Sequence, residues 1–367
     1  LSSRTSHTSF GYTSVMDLDT SKFILPSQVG GIERYQMDDG PARGVQALCV
    51  NTGSGLRYRI LGGRGLDIDQ AFFNQHSLAF LTHAGVNPAT RALDGGLDWL
   101  RSFFGGLLTS CGPFNTGAPV ADGGENLGLH GSHSNTAATI EAVQQPDPHR
   151  GVHEMSVVGS VKYGSFYGPC VSLRRTILSS FGTNLIDITD EFHNAGNQMV
   201  PHAWLLHINF GYPLIDAGAE LCFDAERIDP IDDPASQRHF RAGKNFRRIP
   251  GLMDSHRGSS SFVAYVYPRT GRDGKITVGV VNRKLSLGVA IHYRKTDFPR
   301  CALWQHWGPG EYVCALEPAN GGVEGRDKDR AKGWLDHLPA GGAKTYRYQI
   351  EVLTAKADLQ SLLKLNR

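Results

Sequence analysis

Apolar and polar side chains alternate along most of this chain in short stretches. Residues 45–50 and 56–61 are two such stretches, and the turn-rich residues 51–55 between them predict a hairpin. The same period-two pattern returns at residues 154–163, 171–178 and 184–192, then at 261–267, 276–281, 287–293 and 343–353. Val, Ile, Tyr and Phe recur in these stretches, as half-buried strand positions require.

Helical signals are few. Residues 67–73 are read as the start of a turn that stops quickly, and residues 87–91 and 97–104 as short helical or irregular pieces. Residues 357–364 are read as a final helix or a disordered tail. A doubly wound α/β enzyme needs helices of about 10–15 residues between its strands, and no such rhythm occurs. The pattern therefore predicts an all-β fold of large antiparallel sheets in a sandwich. Its expected organisation is an N-terminal extension over 1–19, one domain over 20–355 and a C-terminal tail over 356–367. Length alone suggests two domains, but large all-β folds often run this long as one.

Composition narrows the function. The chain has 367 residues, 40% of them hydrophobic, which is enough for a large core. The net charge of +2 is scattered and forms no basic run, so no nucleic-acid partner is expected. No apolar stretch reaches 18 residues and the N-terminal residues lack an apolar signal core, so no membrane partner is expected and a cytoplasmic location is the default. The six cysteines are widely spaced and form no CxxC pair, which predicts free thiols in a reducing compartment. A homo-oligomer remains open, because exposed edge strands can pair.

Chemistry concentrates in three segments. His130 and His133 lie in residues 128–133, His207 in the aromatic run 201–213, and Glu317 in residues 314–320. Two histidines and a carboxylate can move protons and hold hydroxyls with no cofactor. On spacing alone, His207 is either a hydrogen-bonded core histidine or a proton carrier. Glu317 is either a salt-bridged carboxylate or its partner. On a strand, His207 would share a face with Leu205 and Asn209. Arg64, set among Gly62, Gly63 and Gly65, is either a water-facing turn residue or a fork of donors for sugar hydroxyls or a sugar-acid carboxylate. Asp67 either orients Arg64 or caps a turn.

Residues 62–68, 105–112, 128–131, 207–214 and 316–320, in that order, resemble the galactose mutarotase-like superfamily, in its uncharacterised aldose 1-epimerase-related branch. The resemblance runs over about residues 45–353. It implies a β-supersandwich with an open carbohydrate groove and an isomerase that interconverts sugar anomers. By the same resemblance His207 is the general acid that protonates the ring oxygen. Glu317 is then the general base that deprotonates the anomeric hydroxyl, and no metal, nucleotide or redox cofactor is needed. His130 would contact the sugar. The branch is expected to carry a basic residue where Ser132 stands, and His133 is expected to compensate. Asp254 is the candidate substrate-binding aspartate, and Trp304 the candidate aromatic wall. His130, His207, Arg64 and Glu317 are expected to converge on one solvent-open groove, with a sugar-sized gap between His207 and Glu317.

Two other classes stay open. A metal-dependent sugar isomerase or lyase would draw on His130, His133, His207, His256, His292 or His306 with Glu317. No HxH motif supports it. A non-catalytic carbohydrate-binding protein would use the groove and aromatics without the acid and base.

Overall fold

The computed structural model describes residues 18–241, 243–258, 261–271 and 273–366. Of the expected N-terminal extension, all but Leu18 and Asp19 lies outside the described residues.

The alternating stretches form three large sheets whose neighbouring strands run antiparallel. The first is a meander in sequence order through Gly31–Gln36, Gln46–Asn51, Leu56–Leu61, Asp67–Phe73 and His76–Ser77. The second has eight strands. It runs from Glu220–Phe223 through Lys275–Asn282, Leu287–Arg294, Ala343–Leu353, Leu185–Asn194, Cys170–Ser180 and Glu154–Gly164 to Thr139–Gln144. The third has six strands: Ala225–Pro230, Phe262–Pro268, Arg300–Gly308, Glu311–Ala319, Leu205–Phe210 and Thr109–Cys111. The all-β architecture read from the sequence is thus the one observed.

Alternation explains how the sheets stack. Met155, Val157, Gly159, Val161 and Tyr163 are the buried positions of one strand of the eight-stranded sheet, and exposed or half-buried residues fill the positions between them. One continuous apolar cluster draws on all three sheets, including Leu48, Ile60, Val157, Ile177, Ile208 and Leu316. The strand Leu205–Phe210 is buried along its whole length. Leu206, Ile208 and Phe210 enter that main core, whereas Leu205 belongs to a separate cluster with Trp99, Phe103 and Cys111. His207 and Asn209 therefore point with Leu205, away from the main core and toward the functional face.

Two local readings change. Residues 67–73 are a strand, not a turn start. Asp67 and Asp69 disguised the pattern, because both carboxylates are buried in ion pairs: Asp67 with Arg175, Asp69 with Arg59. The segment read as a helix or a disordered tail is the helix Lys356–Leu363, which docks on the eight-stranded sheet. Leu359 and Leu362 pack with Cys222, Val281, Ala290 and Leu353. Among the described residues no helix is long and apolar enough to cross a membrane.

Candidate active site

The strands Leu205–Phe210 and Glu311–Ala319 are hydrogen-bonded neighbours, with Leu205 opposite Ala319 and Ile208 opposite Leu316. This register sets His207 and Glu317 side by side on the same face. Their Nε2 and Oε1 atoms are 3.4 Å apart. Both side chains line a cavity of about 710 Å³, although only 5% of His207 and 2% of Glu317 is exposed. They form part of its floor.

The expected gap between the two groups is absent. A gap between them is not required, because the ring oxygen and the anomeric hydroxyl of a sugar are bonded to the same carbon. They sit closer together than 3.4 Å, so an acid and a base that lie side by side can reach both from below. The space a sugar needs is above the pair, where the cavity lies.

Burial also sets the charge of the pair. It pushes the Glu317 carboxyl up to about 8, and no cation beside it opposes the shift. It pushes His207 down to about 4, against a weaker upward pull from a hydrogen bond with Asn209. Near neutral pH the pair is therefore a carboxylic acid beside a neutral imidazole. With ordinary values the carboxyl would instead be ionised there, and the imidazole would be cationic only below about pH 6.5.

Aromatic rings box in His207. Its ring centroid is 5.4 Å from Phe103, 5.5 Å from Trp304 and 5.4 Å from His130. His130 also stands 4.7 Å from Trp99. It holds a left-handed backbone (φ +58°) that turns its ring to the cavity. Its Nδ1 accepts the Gly117 amide at 3.3 Å, which leaves the imidazole proton on Nε2 as a donor. Burial holds His130 well below its ordinary pKa, so this donor is neutral. Gly117 cannot be replaced without strain. It has φ +74°, and a Cβ there would lie 2.1 Å from the Val323 carbonyl carbon.

His207, Glu317, His130 and Trp304 thus converge as expected, and three other residues do not. Arg64 is fully buried behind the cavity wall. Its guanidinium donates to the carbonyls of Ser134, of Asn87 at 3.0 Å and of Ser102 at 3.0 Å, and to Asn135 Oδ1 at 3.1 Å. With these bonds made, it clamps the segment that carries Trp99 and Phe103. His133 is fully buried outside the cavity lining, its Nδ1 2.5 Å from the Tyr163 hydroxyl and its Nε2 3.5 Å from Asp67. Asp254 is exposed, pairs with Arg257 at 3.0 Å and lies outside the cavity. Asp67 does not orient Arg64. It accepts from Arg175 at 3.1 Å and from the Ser110 amide at 3.0 Å. Arg175 also binds Asp190 through two bonds of 2.6 and 2.8 Å, so a buried ionic cluster lies behind the strand that pairs with the one bearing His207.

Sequence reasoning missed most of the wall. Trp99 and Leu100 come from the short 3₁₀ helix Asp98–Arg101, and Phe103 follows it. The available signal was a cluster of large apolar residues, too short for a helix and not alternating, set directly before Gly105 and Gly106. Of the aromatics near His207 in sequence, Phe210 is core and Tyr212 lines a separate surface groove. Among the described residues no three His, Cys, Asp or Glu side chains are grouped to hold a metal ion.

The chain belongs to the family described as a domain of unknown function (DUF4432), whose model matches residues 42–352. Among curated proteins none matches the sequence. Solved structures do. A protein from Klebsiella pneumoniae subsp. pneumoniae MGH 78578, titled a "putative aldose 1-epimerase", superposes with a TM-score of 0.81 at 20% identity, over 91% of this chain and 86% of its own. A galactose mutarotase-like protein from Clostridium acetobutylicum gives 0.60 at 10% identity, over 88% and 98%. Galactose 1-epimerase from Lactobacillus acidophilus NCFM gives 0.56 at 10% identity, over 88% and 98%. At these identities the likeness establishes the galactose mutarotase-like fold.

Proposed function

We propose that this protein interconverts the anomers of a sugar or sugar derivative by acid–base ring opening, with His207 and Glu317 as the proton carriers. The observation that carries this reading is the pair itself: one acid and one base, 3.4 Å apart, on the floor of a cavity large enough for a sugar. Between about pH 4 and pH 8 the pair holds one exchangeable proton, so it has one donor and one acceptor.

Burial places the resting proton on Glu317. Glu317 then donates to the ring oxygen while His207 takes the proton of the anomeric hydroxyl. The bond between the anomeric carbon and the ring oxygen breaks, and a carbonyl forms. Rotation about the adjacent carbon–carbon bond presents the other carbonyl face. The released hydroxyl attacks that face and returns its proton to the Glu317 carboxylate. The carbonyl oxygen takes the proton from the His207 imidazolium. The other anomer results and the pair is back in its starting state, so the chemistry closes with no external reagent. His130 Nε2–H donates to a sugar oxygen, and Trp304 packs against the C–H face. A protein that only binds sugar has no need of a buried acid beside a buried base.

Magnetisation-transfer NMR on mixed anomers tests this. His207→Asn and Glu317→Gln should each slow exchange roughly 10²–10⁴-fold and change binding far less. If both variants exchange a bound sugar at the parent rate, the proposal is wrong.

A further inference from the structure

The cavity is polar only in places. Its floor offers His207, Glu317 and His130, and its rim offers His306 and Glu311, whose Nε2 and Oε2 are 3.3 Å apart. The Thr82 hydroxyl is already bonded to the Phe103 carbonyl. His83 and Ser261 add two further polar side chains, and the remaining wall is largely apolar, with Leu97, Leu100, Phe103, Ile231, Val263 and Val323 prominent. Leu97 and Leu100 are 60% and 52% exposed beside the opening and continue the apolar wall outward, a contiguous apolar surface of the kind that marks ligand-binding grooves. Among the described lining residues there is no Arg, Lys or Asp.

Each absence has a chemical consequence. A sugar acid or sugar phosphate placed here would lose water and gain no arginine or lysine, and it would face the Glu311 carboxylate. Arg64, the one arginine expected to receive such a group, has its donors committed to Ser134, Asn87, Ser102 and Asn135. A plain hexose fits poorly for a different reason. It carries hydroxyls all around its ring, and those facing the leucine and valine wall would be desolvated without partners. At about 710 Å³ the cavity is also of the size that encloses a ligand much larger than one sugar ring.

We propose that the occupant is a neutral reducing sugar that carries an alkyl or aryl group. The hemiacetal carbon lies on the floor over His207 and Glu317, and the apolar group lies against Leu97, Leu100, Phe103, Ile231 and Val263. This inference rests on the anomer-exchange reading and adds the substrate class to it.

The test uses the full chain and one matched set of sugars in both gluco and galacto configuration. The set is the parent hexose, its 4,6-O-benzylidene acetal (which keeps a free anomeric hydroxyl), the uronate and the 6-phosphate. Anomeric exchange by NMR should give the benzylidene sugar a kcat/KM at least tenfold above the parent, with the uronate and phosphate below it. Replacing Leu97 and Leu100 together by Asn, at exposed positions where the fold tolerates the change, should lower that ratio severalfold. Faster exchange of the uronate or phosphate, or no advantage of the benzylidene sugar over the parent, overturns the inference and leaves anomer exchange standing. If no sugar is exchanged, binding followed by quenching of Trp99 and Trp304 fluorescence separates the two ideas. Tenfold tighter binding of the benzylidene sugar keeps the apolar-substituent inference and sinks the enzyme reading. Equal, reversed or undetectable binding sinks both.

Discussion

Glu317 is a carboxyl group held in a dry place, and that must show in how stability depends on pH. Its folded pKa is pushed from 4.5 up to about 8 by burial alone. In the unfolded chain it ionises near its ordinary value. Between these limits the folded state binds one proton more than the unfolded state, so stability falls as pH rises. The slope is about 1.4 kcal/mol per pH unit. The contribution is fully present below about pH 4.5 and is lost by the time pH passes about 8. Glu317→Gln keeps the shape and a hydrogen-bonding amide but cannot ionise, so it should not carry this term. The comparison belongs between pH 5.5 and 8, because His207, pushed down to about 4, is already neutral in the fold there. All other titrating groups are common to both proteins and cancel in the difference. Over that window the variant should gain about 3 kcal/mol on the parent, or about 6 °C in Tm at roughly 2 °C per kcal/mol for a large domain. Thermal melts of both proteins by circular dichroism, taken at half-unit pH steps, measure it directly. A Tm difference that stays constant across the window would mean that Glu317 is already ionised at pH 5.5, and the neutral-acid assignment would have to be abandoned.

The same protonation states shape activity. On any exchanged sugar, kcat/KM should rise as His207 loses its proton near pH 4, stay level, and fall as Glu317 ionises near pH 8. A pair with ordinary values would instead lose its cationic acid above about pH 6.5, so the rate at pH 7.5 relative to pH 5.5 decides between them. Arg64→Met should cost stability of about 3 kcal/mol or more, since it leaves three backbone carbonyls without that donor, while Asn135 Oδ1 keeps only the Ser102 hydroxyl. An unchanged urea midpoint, combined with a raised KM for a sugar acid alone, would return Arg64 to the role of substrate ligand.

The fold was readable because its signal is local. A strand with one face in the core must alternate, and the strands Glu154–Gly164 and Cys170–Ser180 do so almost without a break. Where the reading failed, a polar residue held an inward position for a reason invisible in one segment. Asp67 and Asp69 sit on buried strand positions because Arg175 and Arg59 meet them from other strands. Arg175 is more than 100 residues away in the chain. The docked C-terminal helix was ambiguous for a related reason. Its few apolar residues acquire meaning only from the sheet they cover.

The site was legible by a different route. His207 and Glu317 stood out through the family resemblance and not through pattern, because both lie on strands buried almost end to end, where no alternation marks a face. The distance between them was not legible, since it depends on the register Ile208–Leu316, which no single strand encodes. Arg64 and His133 misled for another reason. Polar residues in glycine-containing loop segments look available for a ligand. Here the loops themselves use them, Arg64 to tie three backbone carbonyls together and His133 to meet Tyr163. A buried polar group has to be satisfied by something, and sequence does not say whether the partner is substrate or backbone. For Arg64 the structure supplies four protein acceptors, while Glu317 and His207 face each other and the cavity, with Asn209 as a further partner of His207. That contrast, more than the burial of either group, is why the proposed proton carriers are His207 and Glu317 and not Arg64.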